Sequence, residues 1–549
     1  MKNFINRNLK NFKSTFIRFP ITCVLGLILG LLLCFIVDDV PYQQVIAPYA
    51  VTLFVSIFIF IFIELLNETL QVQFSSKLYR IFTYGLGLLF AFVIYSIMGR
   101  YWNDISPRIV IYFFGFVLFF ISLSLYIEKI GNPEGHEFYV YRILRGLFVS
   151  SFLSFITFLG LSLVLFSITS LFGFVFMGNY ILKAFVLTMG TLNLWLFLNN
   201  FPRAFVYEEW LEPTIAKKIL KNILIPIEIV MSLILYAYFI QILIKAVLPL
   251  RIISYLAIVY GILASVIIFF SYREKVASNL LISYYFPISS LPLLGLMFYT
   301  MANRIIEYGL TENRYYVILI GLFLTFFMLY NILGRKKHNI FTLKILSLLI
   351  LISTLGPLSS YNLSLYSQKN RLSSILTKNN VNMSTGKLNL SKIKGKDRRN
   401  ISSIVSYFSQ RSEMKRLKDL GDFDLATLEN SSADENISGY PGVSFSASFD
   451  SMDISNFNNL TFINQSNSDK FSIILNDEKV IFKLDSKEVK YSLDELREFV
   501  EKSNFKSPLV LDYDMDGDKT RVILKDLEIQ HNFEEDRYDI IFFEGYLLQ

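Results

Sequence analysis

The chain has 549 residues, of which 53% are hydrophobic, 16% aromatic and 18% charged, and 53 of them are Phe. Soluble domains carry about 25% charged residues. The composition therefore excludes an ordinary soluble protein, a disordered chain, a coiled coil, a collagen-like fibre and a disulfide scaffold, and points to a polytopic membrane protein with room for one further domain.

The first 18 residues are basic and precede the first apolar stretch. A helix needs about 20 apolar residues to cross the hydrocarbon core. Eleven stretches approach this, at 19–37, 46–66, 81–98, 109–127, 144–170, 180–198, 223–244, 250–271, 284–303, 316–333 and 340–358. The apolar run 143–200 fits two helices with a turn at Gly173–Gly178. Backbone groups in lipid must pair internally, so these stretches are read as helices of one transmembrane domain, 19–358. The first is read as an anchor rather than a cleaved signal, because it is long and no small-residue cleavage site precedes Asp38–Asp39. Cys23 and Cys34 both lie in this stretch and say nothing about redox compartment. Gly26 and Gly30, four apart, would let a neighbouring helix approach closely.

Lys and Arg in short loops set orientation. With the N-terminus in the cytoplasm, the inner loops hold nineteen Lys and Arg and the outer loops seven. Eleven crossings then place the C-terminus outside. The basic segment 371–418 opposes this if it counts as a short loop. Long translocated domains are largely exempt from the rule.

Beyond Pro357 the composition turns polar. A basic helical neck is expected over 359–420, with an amphipathic helix at Ile401–Leu420 that has one irregular step, and its charge suits either anionic lipid headgroups or a solvated helical face. An acidic linker follows at 421–442. Short β-like runs then succeed one another at Val443–Phe449, Leu460–Ile463, Phe471–Leu475, Val480–Leu484, Leu509–Tyr513, Arg521–Ile529 and Tyr538–Tyr546. Ser492 and Glu495 form a capping box that opens a helix to about Lys502. These elements predict a strand-rich α+β domain at 443–549.

Asp512, Asp514 and Asp516, with Gly517, resemble half of an EF-hand loop. Position 12 is Ile523 where a Glu is needed, so a plain hairpin turn is the stronger expectation and calcium the weaker. His136, His338 and His531 have no second ligand at metal spacing, and no hydrolase or nucleotide-binding motif occurs. No cofactor, metal, catalytic residue or nucleic-acid partner is expected, and an enzyme is the less favoured class. Charges inside the spans are candidate sites. Glu64 and Lys344 lie where they can reach an interface. Glu228 follows Pro226 and is expected five residues inside the seventh span, where it could bind a proton or cation, reach the interface or pair with another helix. The densest polar cluster is Arg304, Glu307, Tyr308, Gly309, Thr311, Glu312, Arg314 and Tyr315. Arg304 and Glu307 are spaced as helix partners, Gly309 suits a helix C-terminus, and Thr311 can cap the next helix.

RIIEYGLTENRY at this cluster resembles the bacterial domain-of-unknown-function family 4153, as do NLWLFLNNFPR at 193–203, IPIEIVMSLILYAY at 225–238 and GPLSSYNLSLYSQKNRL at 356–372. The likeness covers roughly 190–375, and only the segment ending Arg18-Phe19-Pro20 shares it near the N-terminus. It implies a multi-pass bacterial inner-membrane protein and supplies no activity. Three functions are left open. The first is a membrane-anchored sensor or assembly protein with an extracytoplasmic binding domain and a protein partner there. The second is a permease with its site between the helices. The third is a membrane-embedded transferase that uses Arg304 and Arg314 as anion clamps.

Overall fold

The computed structural model describes residues 12–38, 43–71, 77–101, 107–131, 135–172, 178–202, 214–245, 252–271, 281–333, 339–379, 395–421 and the isolated positions 381, 393 and 423. Beyond these it describes eight strands between 443 and 548 and the pair 495–496. The linker at 421–442, apart from positions 421 and 423, and most of the helix expected after Ser492 lie outside the described residues, as do the turn at 173–177 and His338. The chain forms two units, one of residues 1–385 and 404–421 and one of 386–403 and 422–549.

The first unit is helical. Its long helices are α1 (Pro20–Val37), α2 (Gln43–Gln71), α3 (Lys77–Tyr101), α4 (Pro107–Ser124) and α5 (His136–Phe172). Helix α6 starts at Gly178–Phe185, passes through the π-helical Val186–Leu192 and ends as Asn193–Asn199. Helix α7 has the same build, with Thr214–Ile219, the π-helical Leu220–Leu224 and Ile225–Lys245. After α8 (Ile252–Ser271), helix α9 opens on the π-helical Leu281–Tyr285 and continues as Phe286–Tyr308. Then come α10 (Glu312–Leu333) and α11 (Asn339–Thr354).

All eleven apolar stretches are thus helical. Among the described residues, nine helices are long and apolar enough to cross a membrane. The two that fall short do so for identifiable reasons. Helix α9 carries Pro287, Ser289, Ser290 and Thr300 among its buried residues and a second proline, Pro292, on its exposed side. Helix α11 has 16 residues, about 24 Å at 1.5 Å per residue. Both nevertheless join the same two polar ends as their neighbours. Asn339 at the start of α11 donates to the Phe269 carbonyl near the end of α8, at 3.2 Å. Ser254 near the start of α8 meets Thr300 near the end of α9, at 2.8 Å. We call the end where α1 begins the near end, and the opposite one the far end.

Gly26 and Gly30 act as the sequence suggests. A side chain at Gly26 would strike Leu194, and one at Gly30 would strike Thr191. The close partner is the π-helical turn of α6, whose Thr191 hydroxyl donates to the Gly26 carbonyl at 3.5 Å. Cys23 and Cys34 are free thiols.

Helix α12 (Ser360–Lys378) follows the last apolar helix, with Ser359 as its N-cap. Helix α13 (Gly395–Ser409) and the 3₁₀ turn Met414–Leu417 replace the single helix expected at Ile401–Leu420. The helix begins earlier than expected and stops at Ser409, and Ser412 takes a positive φ of 54°. The irregular step between Phe408 and Met414 marks this break. Ile404, Val405, Phe408 and Leu417 are buried.

The second unit holds two antiparallel sheets. Strands β1 (Val443–Ser446), β2 (Leu460–Asn464), β6 (Leu509–Met515), β7 (Asp518–Asn532) and β8 (Arg537–Leu548) form one, in the order β1-β7-β8-β2 with β6 also on β7. Strands β3 (Phe471–Asn476), β4 (Lys479–Leu484) and β5 (Lys487–Ser492) form the other in sequence order. Alternate residues bury their side chains, as a two-residue period requires. Val480, Phe482 and Leu484 do so on β4, and Leu509, Leu511 and Tyr513 on β6. The sheets share one core, where Phe471 meets Phe543 edge-on at 5.8 Å and the Tyr513 hydroxyl donates to the Phe482 carbonyl. Strand β5 was not expected. Its Lys487 and Lys490 mask the weak alternation of Val489 and Tyr491. The capping box is closed in both directions, with Ser492 N–H on Glu495 and Glu495 N–H on Ser492.

Candidate functional site

The motif at 304–315 builds a tight corner at the far end. Helix α9 stops at Tyr308 because Gly309 takes φ 73° and ψ 172°, a conformation open essentially to glycine alone. Thr311 sits just before α10, and its carbonyl accepts from Tyr315 N–H. The Arg314 guanidinium donates to the Gly309 carbonyl and lies over the Tyr308 ring.

The charges of the string reach partners beyond it. Glu312 accepts from Arg411 at 3.0 and 3.2 Å and from the Tyr407 hydroxyl at 2.9 Å. The side chains of this pair are only 11% and 13% exposed. Burial, with Glu312 alongside, pushes the Tyr407 phenol well above its usual range. Arg411 also stacks on the Tyr407 ring at 3.5 Å. Close by, Arg108 at the start of α4 pairs with Glu413 at 2.7 Å and lies over the Tyr361 ring at 4.3 Å. Glu307 lies near Arg371, and no bond joins it to Arg304 among those described.

The same corner holds α12. Gln368 donates to the Tyr308 and Leu310 carbonyls at 3.0 and 3.1 Å, and Leu310 N–H donates to Ser367. The Tyr315 hydroxyl donates to the Leu358 carbonyl. The string at 304–315 and the string at 356–372 are therefore two halves of one contact. The motif works as a clamp for the segment after the last apolar helix. Beside it a hollow of about 480 Å³ is lined by Lys369, Lys415, Arg416 and Lys418 with Asp419. Lys369 bonds Asp419 at 2.8 Å and holds its carboxyl below the usual range.

Glu228 is placed differently from expectation. Helix α7 runs back to Thr214, so the residue lies near the middle of the candidate span Lys217–Ile242 and not five residues inside it. It is fully buried, and neither carboxyl oxygen has a hydrogen-bond partner among the described residues. Around it, Ser232 bonds the Tyr285 hydroxyl at 2.7 Å, Tyr260 bonds Ser289 at 2.6 Å, and Tyr236 donates to the Ser289 carbonyl at 2.8 Å. Glu64 likewise does not reach an interface. Helix α2 continues to Gln71, and Glu64 is buried with both oxygens on the Tyr84 hydroxyl at 2.8 Å. Lys344 is exposed.

The near end holds a cluster that the sequence did not single out. Arg18 donates to Glu68 at 2.6 and 2.8 Å, to the Phe201 carbonyl at 2.7 Å and to the Pro202 carbonyl at 2.9 Å. Glu128 lies 3.7 Å away. Here too, two recognised strings meet, the one ending Arg18-Phe19-Pro20 and the one ending at 203. His136 bonds the Leu125 carbonyl nearby, which gives it a structural place.

The acidic loop in the second unit is a hairpin. Met515 pairs with Asp518 where β6 and β7 meet, and Asp516 and Gly517 between them lie outside the described residues. Asp512 is held by Arg521 at 2.6 and 3.1 Å, and Asp514 pairs along the backbone with Lys519. Strand pairing thus opposes the closed loop that calcium needs. Among the described residues no group of three His, Cys, Asp or Glu could hold a metal.

No curated protein and no solved structure matches the chain. A family match does cover residues 49–391, and so takes in α3–α12 with most of α2. It includes the corner at 304–315, the Glu228 helix and the carbonyls that receive Arg18. By that match, the chain belongs to the family described as a domain of unknown function, DUF4153.

Proposed function

We propose that the protein is a membrane-anchored sensor or assembly component whose strand-rich C-terminal region binds a protein partner outside the cytoplasm. The observation that carries this reading is the Glu312–Arg411 clamp, backed by Arg108–Glu413. A chain that only needed a tether would not fix the segment leading to its appended domain with two largely buried ion pairs. The reading places the protein in the bacterial cytoplasmic membrane with its N-terminus in the cytoplasm, as the charge asymmetry of the loops favours. The basic hollow at Lys369 and Lys415 then faces the lipid headgroup region, where anionic groups would meet it. On this reading the protein binds and does not catalyse.

Photo-crosslinkers at Lys490, exposed on β5, and at Val510, exposed on β6, test the proposal in intact cells. A discrete protein adduct from either position supports it. No adduct at either position, with the chain present in the membrane, overturns it. The alternative of a permease is favoured by a separate observation, the buried carboxyl of Glu228.

A further inference from the structure

An ionised carboxylate in a lipid-embedded bundle is costly unless it is paired, and a group without a partner neutralises instead. Glu228 is fully buried, and neither oxygen has a hydrogen-bond partner among the described residues. The groups facing it are hydroxyls. Tyr260 on α8 interacts with it electrostatically, and Tyr285 on α9 and Ser232 on its own helix bond each other one turn away. Tyr236, also on α7, is engaged with Ser289. From α10 the neighbouring core residues are the apolar Phe327 and Met328. No cation faces it among these elements.

The backbone here is also unusual. The π-helical segment Leu220–Leu224 ends two residues before Pro226, and Leu281–Tyr285 ends two residues before Pro287. A proline removes one helical N–H and crowds the preceding turn. The wider π turn relieves that crowding and leaves backbone carbonyls without their regular donors. Two helices therefore carry polar backbone beside the same buried carboxyl, on the near-end side of α7 and α9.

We propose that Glu228 is a proton-binding site inside the bundle, which loads and unloads through the loosened π turns of α7 and α9. A proton fits the geometry better than a metal cation. An alkali or divalent ion needs several oxygens at once, and the hydroxyls of Ser232, Tyr260, Tyr285 and Ser289 are committed to one another. A proton needs only the carboxyl, and a neutral acid needs no counter-charge among the surrounding hydroxyls.

The test is infrared difference spectroscopy on the full chain in lipid nanodiscs, taken as the pH is raised from mildly acidic to mildly alkaline. One carboxylic-acid carbonyl band should fall with rising pH, and it should be missing at every pH from Glu228→Gln. The Gln variant is a neutral isostere and should keep the wild-type melting temperature, so loss of the band would not reflect unfolding. A Glu228-dependent band that never changes with pH would overturn the proposal, because the acid would then be permanently protonated. A spectrum with no Glu228-dependent band would overturn it as well. A band displaced by added sodium at constant pH would show a metal-ion site and would reject the assignment to a proton.

Discussion

Glu312 and Arg411 are 99 residues apart, yet they make one of the most enclosed ion pairs at the far end. Breaking a buried pair strands one charge away from water and costs about 3 kcal/mol. Glu312→Ala and Arg411→Ala should each lower the melting temperature clearly, and the double variant should lose less than the sum of the two. A thermal-shift series in detergent checks this. Arg304→Ala should cost far less, since no described bond ties Arg304 into the corner. That the string 304–315 gathers polar groups at one helix junction was legible in the sequence, but the partners of those groups were not. Nearby acids and bases suggest pairing with each other, and only the fold brings Arg411, Tyr407 and Gln368 to the same corner. Glu228 was legible as a candidate beside Pro226. Its full burial was not, because the helix start was set by the apolar run, whereas the helix continues back through the π turn to Thr214.

At the scale of elements, glycine spacing was a reliable guide. Gly30 lets the π-helical turn of α6 lie against α1, and any larger side chain there must displace Thr191. Gly30→Leu should destabilise the bundle by about 1–3 kcal/mol through overpacking, read as a lower melting temperature. Gly309→Ala should cost about 1–3 kcal/mol for a different reason, since its backbone angles strain any residue with a Cβ. Its variant should also free α12, whose cleavage by added protease should speed up. The apolar stretches were legible because a lipid-crossing helix leaves a long uniform signature. Strand β5 was not, because the charged Lys487, Glu488 and Lys490 occupy half of its six positions. The three π-helical segments leave no composition signal, although prolines two residues beyond two of them were a usable sign.

For the whole molecule, the coarse division into a helical part and a strand-rich part was legible in the sequence, whereas the structural units, 1–385 with 404–421 and 386–403 with 422–549, interleave along the stretch read as one neck. Residues 443–549 contain both sheets and their common core, so they should express as a soluble monomer with a cooperative thermal transition. An aggregated product would show that this core needs the rest of the chain. A reporter fused after Gln549 should be active only outside the cytoplasm. Activity of a cytoplasmic reporter at that position would reverse the orientation proposed above.

The Arg18 cluster has a consequence for biosynthesis. Arg18 is made before its acceptors, which follow 50 residues later at Glu68 and 183 residues later at Phe201. Until the sixth helix has been inserted, the guanidinium must remain hydrated at the membrane surface with half its bonds unmade. Closure of the cluster therefore reports that the first half of the chain has been threaded correctly. A nascent chain stopped short of Phe201 leaves this latch half-open and presents a first helix packed on the second alone to membrane quality-control proteases. Chains truncated after Phe172 should accordingly be degraded faster than chains truncated after Pro202, which a pulse-chase measurement would resolve.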